Sequence, residues 1–378
     1  MEPFKNLFNV DLVQGMATHF ARHHKGFNKK DFVQHATRDF SKLELKQRSN
    51  AIVEAMAKHL PQDFGVTAAI LQSSLHSSPP DDLYGAVVSD EGILGWGIMP
   101  MSEYVGLYGQ QHIDLSLDLL KEMTSRFTSE SAIRHFFLAD HKRTLKIIEP
   151  WTRDANRHVR RLVSEGSRPL LPWSPKLQVF VEDPSLIMPL LEALRNDPEE
   201  YVRRSVANNL NDIAKHHPDL VAETAERWLR DADKDEQRMV RHACRTLLKQ
   251  GHARTLAAFG YGEAEIEVTR FDIQAPEVTL GEHLVFDLEL KSLSDNIQPL
   301  LVDFVVHHRK ANGSTSPKVF KWKSITLKPG SNHAAQKKHA IKPITTRVYY
   351  PGEHFLELQI NGRNLGKIPF WLNCSDAE

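Results

Sequence analysis

At 378 residues, with 48 Lys and Arg against 48 Asp and Glu, the chain has no global basic field to attract a polyanion, so any nucleic-acid role rests on a local patch. Two cysteines, Cys244 and Cys374, give neither a disulfide framework nor a zinc site and fit a reducing intracellular compartment. The length suits two or three domains, no stretch approaches the roughly 20 apolar residues of a membrane helix, and Met1 to Leu7 lacks a signal-peptide apolar core.

Residues 1–110 read as interrupted helix: Leu12, Val13, Met16 and Phe20 fall at helical spacing, as do Ile52, Met56 and Leu60. Ser77 to Asp82, with two prolines, reads as a loop. Gly92 to Gly97 is an apolar, glycine-punctuated turn around Trp96. Helix returns over residues 112–127, where Ile113, Leu117, Leu120 and Met123 form one stripe.

Helix pairs follow. Thr144 to Trp151 is expected as a first helix, Arg153 to Asn156 as its turn and His158 to Glu165 as the second helix. Leu186 to Leu194, Asn196 to Pro198 and Tyr201 to Ala214 repeat the plan, and Leu220 to Leu229, Asp231 to Asp235 and Arg238 to Leu248 repeat it again. Each second helix opens on one phrase: His158-Val159-Arg160-Arg161, Tyr201-Val202-Arg203-Arg204, Met239-Val240-Arg241-His242. A period of about 40 residues with two amphipathic helices per repeat is the signature of a HEAT-type solenoid. Such an array offers one long concave surface, and arginines on it suit an elongated polyanion. The Asp-bearing turns supply N-cap acceptors.

Gly251 to Gly262 is a turn-rich linker, after which the period changes to two. Phe271 and Ile273; Leu284, Phe286, Leu288 and Leu290; Val302, Phe304 and Val306; and Phe355, Leu356, Leu358 and Ile360 lie on short β-rich runs separated by turn signals. About seven strands in such a segment imply an immunoglobulin-like β-sandwich. The expected fold is multidomain α + β: an all-α HEAT-like solenoid over 1–260, then a sandwich over 264–378.

The densest chemistry lies between Phe127 and Trp173. The helix carrying Arg160 and Arg161 is cut short by Gly166 and Pro169, whereas its counterpart runs on to Ala214. A glycine costs a helix interior about 1 kcal/mol relative to alanine, and the residue before a proline favours extended backbone. Superimposing the repeats places Glu165 opposite Asn208. Arg204, Asn208 and Asp212 share a face at i, i+4, i+8 and suggest a polar stripe.

Three phrases, Phe127 to Arg134, His158 to Pro169 and Val202 to Lys215, resemble the bacterial AlkC family in order and spacing. That family comprises DNA glycosylases of HEAT-like repeats, relatives of AlkD, some carrying an immunoglobulin-like C-terminal domain. The resemblance covers most of residues 1–260. It implies excision of cationic alkylated bases, chiefly 3-methyladenine and also 3-methylcytosine, from double-stranded DNA without full extrusion of the base. It also implies a bacterial, cytoplasmic protein with its substrate in the nucleoid.

An N-methylated base is already cationic and leaves easily. The enzyme then needs a carboxylate to stabilise the developing oxocarbenium charge and to position a water. The candidate carboxylates are Glu130, Asp154 and Glu165, with Glu122 further back. Trp151 and Trp173 are candidate aromatic faces for a cation. Arg134, Arg157, Arg160, Arg161, Arg168 and Arg204 are candidate phosphate ligands, with Asn208 beside them. Each has a bland alternative. Asp154 sits where a turn residue caps a helix, Glu130 where a carboxylate meets a helix N-terminus, and tryptophans are commonly core. An acid at Glu165, in a last turn, opposes the helix dipole and is poorly explained by solvation alone.

The 20 histidines include adjacent pairs that diverge, and His19 and His23 lack the glutamate of a zinc-protease motif; no metal or other cofactor is expected. In the sandwich, Lys321 and Lys323, with Lys318 and Lys328 nearby, either blunt a sheet edge or grip a second stretch of DNA backbone. The leading reading is a monomeric, monofunctional DNA glycosylase with no lyase step, cofactor or membrane association. The competing reading is a non-catalytic HEAT-repeat scaffold binding nucleic acid or protein.

Overall fold

The computed structural model describes residues 3–374 except 78, 80–82 and 84–87, so most of the loop read at Ser77 to Asp82 lies outside the described residues. The chain divides into two compact units, Met1–Ile213 and Ala214–Glu378. Fifteen α-helices are found among the described residues, and eight strands follow them. None of these helices is long and apolar enough to cross a membrane.

The first unit opens with α1 (Val10–His23), α2 (Lys29–Thr37), α3 (Leu45–His59), α4 (Phe64–Ser73) and α5 (Ile98–Tyr108). The side chains of Asn9, Asn28 and Asp63 cap α1, α2 and α4 by accepting from Leu12, Asp31 and Val66 backbone N–H groups. Phe20 packs edge-on against Phe27 and Phe32, and those two rings are tilted against each other, with ring centroids 5.2–5.8 Å apart. The expected turn at Gly92 to Gly97 leads through a single 3-10 turn into α5.

Next come α6 (Ile113–Thr124), α7 (Ile133–Ile148), α8 (Arg157–Gly166), α9 (Gln178–Glu182), α10 (Met188–Leu194) and α11 (Glu200–Ile213). A kink at Asp140 (φ −153°, ψ 87°) divides α7, and the helix expected from Thr144 is the segment after it, capped by Asp140, which accepts from the Arg143 backbone N–H at 3.0 Å. As expected, α8 stops at Gly166. It packs against α6, α7, α10 and α11, burying Val159, Leu162 and Val163.

The repeat arginines serve the turns. Arg160 donates to the carbonyls of Asp154 (2.9 Å) and Ala155 (3.1 Å), and Arg203 to those of Asp197 (2.7 Å) and Pro198 (2.9 Å). Arg160 also forks onto the Asp197 carboxylate of the following turn, at 2.6 and 2.9 Å.

In the second unit, α12 (Pro218–Leu229) precedes α13 (Lys234–Ala243), α14 (Arg245–Gln250) and α15 (Ala253–Ala258). The single helix expected over Arg238 to Leu248 is broken at Cys244. Gly251 ends α14 with φ +73°, and a Cβ there would lie 2.6 Å from the Gly362 Cα, so this approach of turn and hairpin admits no side chain. The strands are β1 (Ile266–Ile273), β2 (Glu277–Thr279), β3 (His283–Ser292), β4 (Gln298–Arg309), β5 (Thr315–Leu327), β6 (Asn332–Ala340), β7 (Gly352–Ile360) and β8 (Arg363–Asn373). They form an immunoglobulin-like pair of sheets, ordered β1-β3-β6 and β2-β8-β7-β4-β5. Leu284, Phe286, Leu288 and Leu290 from one sheet meet Val302, Phe304, Leu356 and Leu358 from the other. The strand beyond the seven expected is the short β2, which pairs in parallel with the end of β8.

Candidate active site

The C-terminal turn of α8 carries the densest charge in the first unit. Glu165 is only 5% exposed, an expensive place for a carboxylate unless donors surround it. Its Oε1 accepts from Arg168 Nη1 at 2.7 Å and lies 3.7 Å from Arg161 Nη2, while its Oε2 accepts from the Ser205 hydroxyl at 2.6 Å. Arg168 in turn donates from Nε to Asp212 at 2.8 Å. Arg161 donates from Nη1 to Glu130 at 2.6 Å and to the Thr128 hydroxyl at 3.1 Å. The result is a chain of alternating charge, Glu130–Arg161–Glu165–Arg168–Asp212. Burial opposes the charge on both arginines, but Glu130, Tyr201 and Glu165 hold Arg161 above the usual arginine range. Hydrogen bonding and attraction from Asp212 and Glu165 do the same for Arg168.

Four of these five were singled out in the sequence as site residues, and Asp212 was placed on the expected stripe. That stripe runs from surface to interior: Arg204 is exposed, Asn208 half-buried and Asp212 buried. Glu165 itself meets Ser205 of α11. Tyr201 escaped sequence reading as a site residue. Its ring lies 5.0 Å from the Arg161 guanidinium carbon, and only its place as the opening residue of the repeated phrase hinted at it.

Arg134, expected at a phosphate, is fully buried. It donates from Nη1 to the carbonyls of Gly166 (3.0 Å) and Arg168 (2.6 Å), and from Nε to that of Pro175 (2.8 Å). Burial lowers its basicity to about 10, so it stays charged at neutral pH. Its donors are spent on the loop after α8, and the phosphate assignment is corrected to an internal clamp. The same loop displays Trp173, 75% exposed at φ +64°, a conformation uncommon for a bulky residue. The loop is further tied by a Ser131–Ser174 hydroxyl contact at 2.7 Å and by Lys46, which donates to the Trp173 carbonyl.

The other candidates lie outside this chain of charge. Asp154 accepts from Lys121 Nζ at 2.7 Å and from the Asn156 backbone N–H at 2.8 Å. Burial raises its pKa, but these bonds outweigh it and leave the carboxyl below its ordinary 3.8. Trp151 is buried, with Lys121 Nζ 5.8 Å from its ring centre. Arg160 is engaged as above, and Arg157 lies 3.6 Å from Glu199. On β5, Lys321 is exposed and register-paired with buried Asp303, while half-buried Lys323 lies 5.9 Å over the Trp322 ring.

Known proteins share this architecture. The family described as "DNA alkylation repair enzyme" matches residues 112–249, and that described as "Uncharacterised protein YhaZ, C-terminal Ig-like domain" matches residues 267–374. The sequence is 33% identical to protein YhaZ of Bacillus subtilis (strain 168) over 372 residues, 98% of this chain and 99% of the relative. The structure is similar to that of the Pseudomonas fluorescens alkylpurine DNA glycosylase AlkC bound to DNA containing an abasic site analogue. The TM-score is 0.86 at 34% identity, over 98% of this chain and 100% of that one.

Proposed function

This chain belongs to the AlkC-like DNA alkylation repair family, and we propose that it is a monofunctional glycosylase hydrolysing the N-glycosidic bond of cationic alkylated bases in duplex DNA. The observation that carries this reading is the buried acid at the end of α8, bonded by Arg168 and Ser205 with Arg161 beside it. Departure of a base that is already a cation leaves positive charge on the deoxyribose. Glu165, little exposed and at the negative end of a helix dipole, meets that charge where the field is least screened. Glu130, with its side chain 23% exposed against 7% for Glu165, lies nearer solvent and suits the positioning of the attacking water. Asp154, paired with Lys121, acts as a turn residue in this scheme.

Exposed Trp173 and partly exposed Tyr201 suit an open surface that meets the lesion within the duplex, in keeping with excision of 3-methyladenine and 3-methylcytosine without full flipping. We assign the glycosylase domain to 1–260 and a DNA-backbone contact to Lys321 and Lys323 of the sandwich (264–378).

Incubation with methylated duplex DNA is expected to release 3-methyladenine and leave an abasic site. Binding without any release would favour the scaffold reading. In salt-titrated binding to the same duplex, replacing both Lys321 and Lys323 by Ala is expected to flatten the slope of log K against log salt by about 1.8, since each phosphate contact contributes about 0.9. An unchanged slope would remove β5 from the interface.

A further inference from the structure

Arg161 touches both Glu130 and Glu165. An arginine side chain has several freely rotating bonds, and its planar guanidinium presents its edge to these two acids and Thr128. What fixes the plane is a separate matter from what binds the edge. The guanidinium lies over the Tyr201 ring, 5.0 Å from carbon to ring centre, and is also hydrogen-bonded to the Tyr201 hydroxyl. Tyr201, near the start of α11, seats between two residues of α8 one turn apart: Arg161 on one side and His158 edge-on at 5.5 Å on the other. The ring is 41% exposed, so it is not core, and filling the interior does not account for it. Arginine stacks on aromatic faces in a way that lysine does not.

We infer that Tyr201 is a positioning residue for base excision: its ring sets the plane of Arg161, and through it the placement of Glu130 and Glu165 against the deoxyribose. The inference rests on the glycosylase reading. Phenylalanine keeps the ring beneath the guanidinium and gives up only the hydroxyl's hydrogen bond to it, whereas leucine gives up both.

The test uses the full chain and three proteins: wild type, Tyr201→Phe and Tyr201→Leu. Single-turnover excision of 3-methyladenine from duplex DNA is read beside affinity for a duplex carrying an abasic analogue. The Nε–H resonance of Arg161 is followed by NMR in the absence of DNA. Tyr201→Leu is expected to lose about tenfold to thirtyfold in the excision rate constant with affinity within twofold, and to broaden the Arg161 signal. Tyr201→Phe is expected to excise at least fivefold faster than Tyr201→Leu and to keep the signal sharp. A Tyr201→Leu variant with wild-type rate, a loss confined to DNA affinity, or an Arg161 signal as sharp as wild type would each overturn the proposal. Absence of excision by the wild type would sink the glycosylase reading instead, and the Arg161 signal would still decide whether Tyr201 sets the guanidinium.

Discussion

Glu165→Gln is expected to lower the single-turnover rate of 3-methyladenine release by about 10³-fold, the upper end of what one well-placed electrostatic partner contributes. The substitution keeps the shape and removes the charge, so the deoxyribose cation loses the acid at the negative end of α8. Arg161 and Arg168 then face an amide, and Ser205 keeps an acceptor, so the helix end should persist. Glu130→Gln is expected to cost about 10²-fold, since a water-positioning group sits farther from the charge. Asp154→Asn is expected to stay within about threefold, because an amide still caps the turn and the lost partner is a half-exposed lysine. Release by Glu165→Gln at the wild-type rate, or a large loss confined to Asp154→Asn, would overturn the assignment of the acid.

Arg134→Met is expected to destabilise the first unit by about 3–5 kcal/mol, the usual range for removing one side of a buried, hydrogen-bonded charge. Methionine fills a similar volume but donates nothing. The carbonyls of Gly166, Arg168 and Pro175 lose their donors, at about 1–3 kcal/mol for each group left buried and unsatisfied. Urea unfolding should show a lower midpoint with an unchanged slope. Lysine, with one compact ammonium, should recover only part of the loss. Were Arg134 instead an exposed phosphate ligand, as the sequence suggested, the same change would leave stability within about 0.5 kcal/mol and weaken DNA binding.

The helix pairs were legible because their signals are local: a hydrophobic period, an Asp-bearing turn, a repeated opening phrase. The sandwich was legible from alternation and turn chemistry, although a strand as short as β2 carries no periodic signal of its own. In the site, Gly166 marked the helix end, and the misfit of an acid in a last turn drew attention to Glu165. What stayed hidden depends on separations no local pattern encodes. Arg134 looks like any basic residue until the loop at 166–175 folds over it. Arg160 finds the carboxylate of the next turn, Asp197, in addition to the carbonyls of its own. Tyr201 reads as an ordinary amphipathic helix residue until α8 is laid against α11.

Gly166 does more than stop a helix. A methyl group at this position would sit 2.5 Å from Ile133 Cγ2, so the Ile133 side chain reaches the α8 backbone only because the glycine carries none of its own. Exchanging glycine for alanine near a helix end commonly raises melting temperature through the unfolded chain, yet here the added methyl would wedge α7 away from α8. The carbonyl that Arg134 grips would move with it, and the acid one residue earlier would shift too. Efforts to harden the protein by trimming its glycines should therefore spare this one.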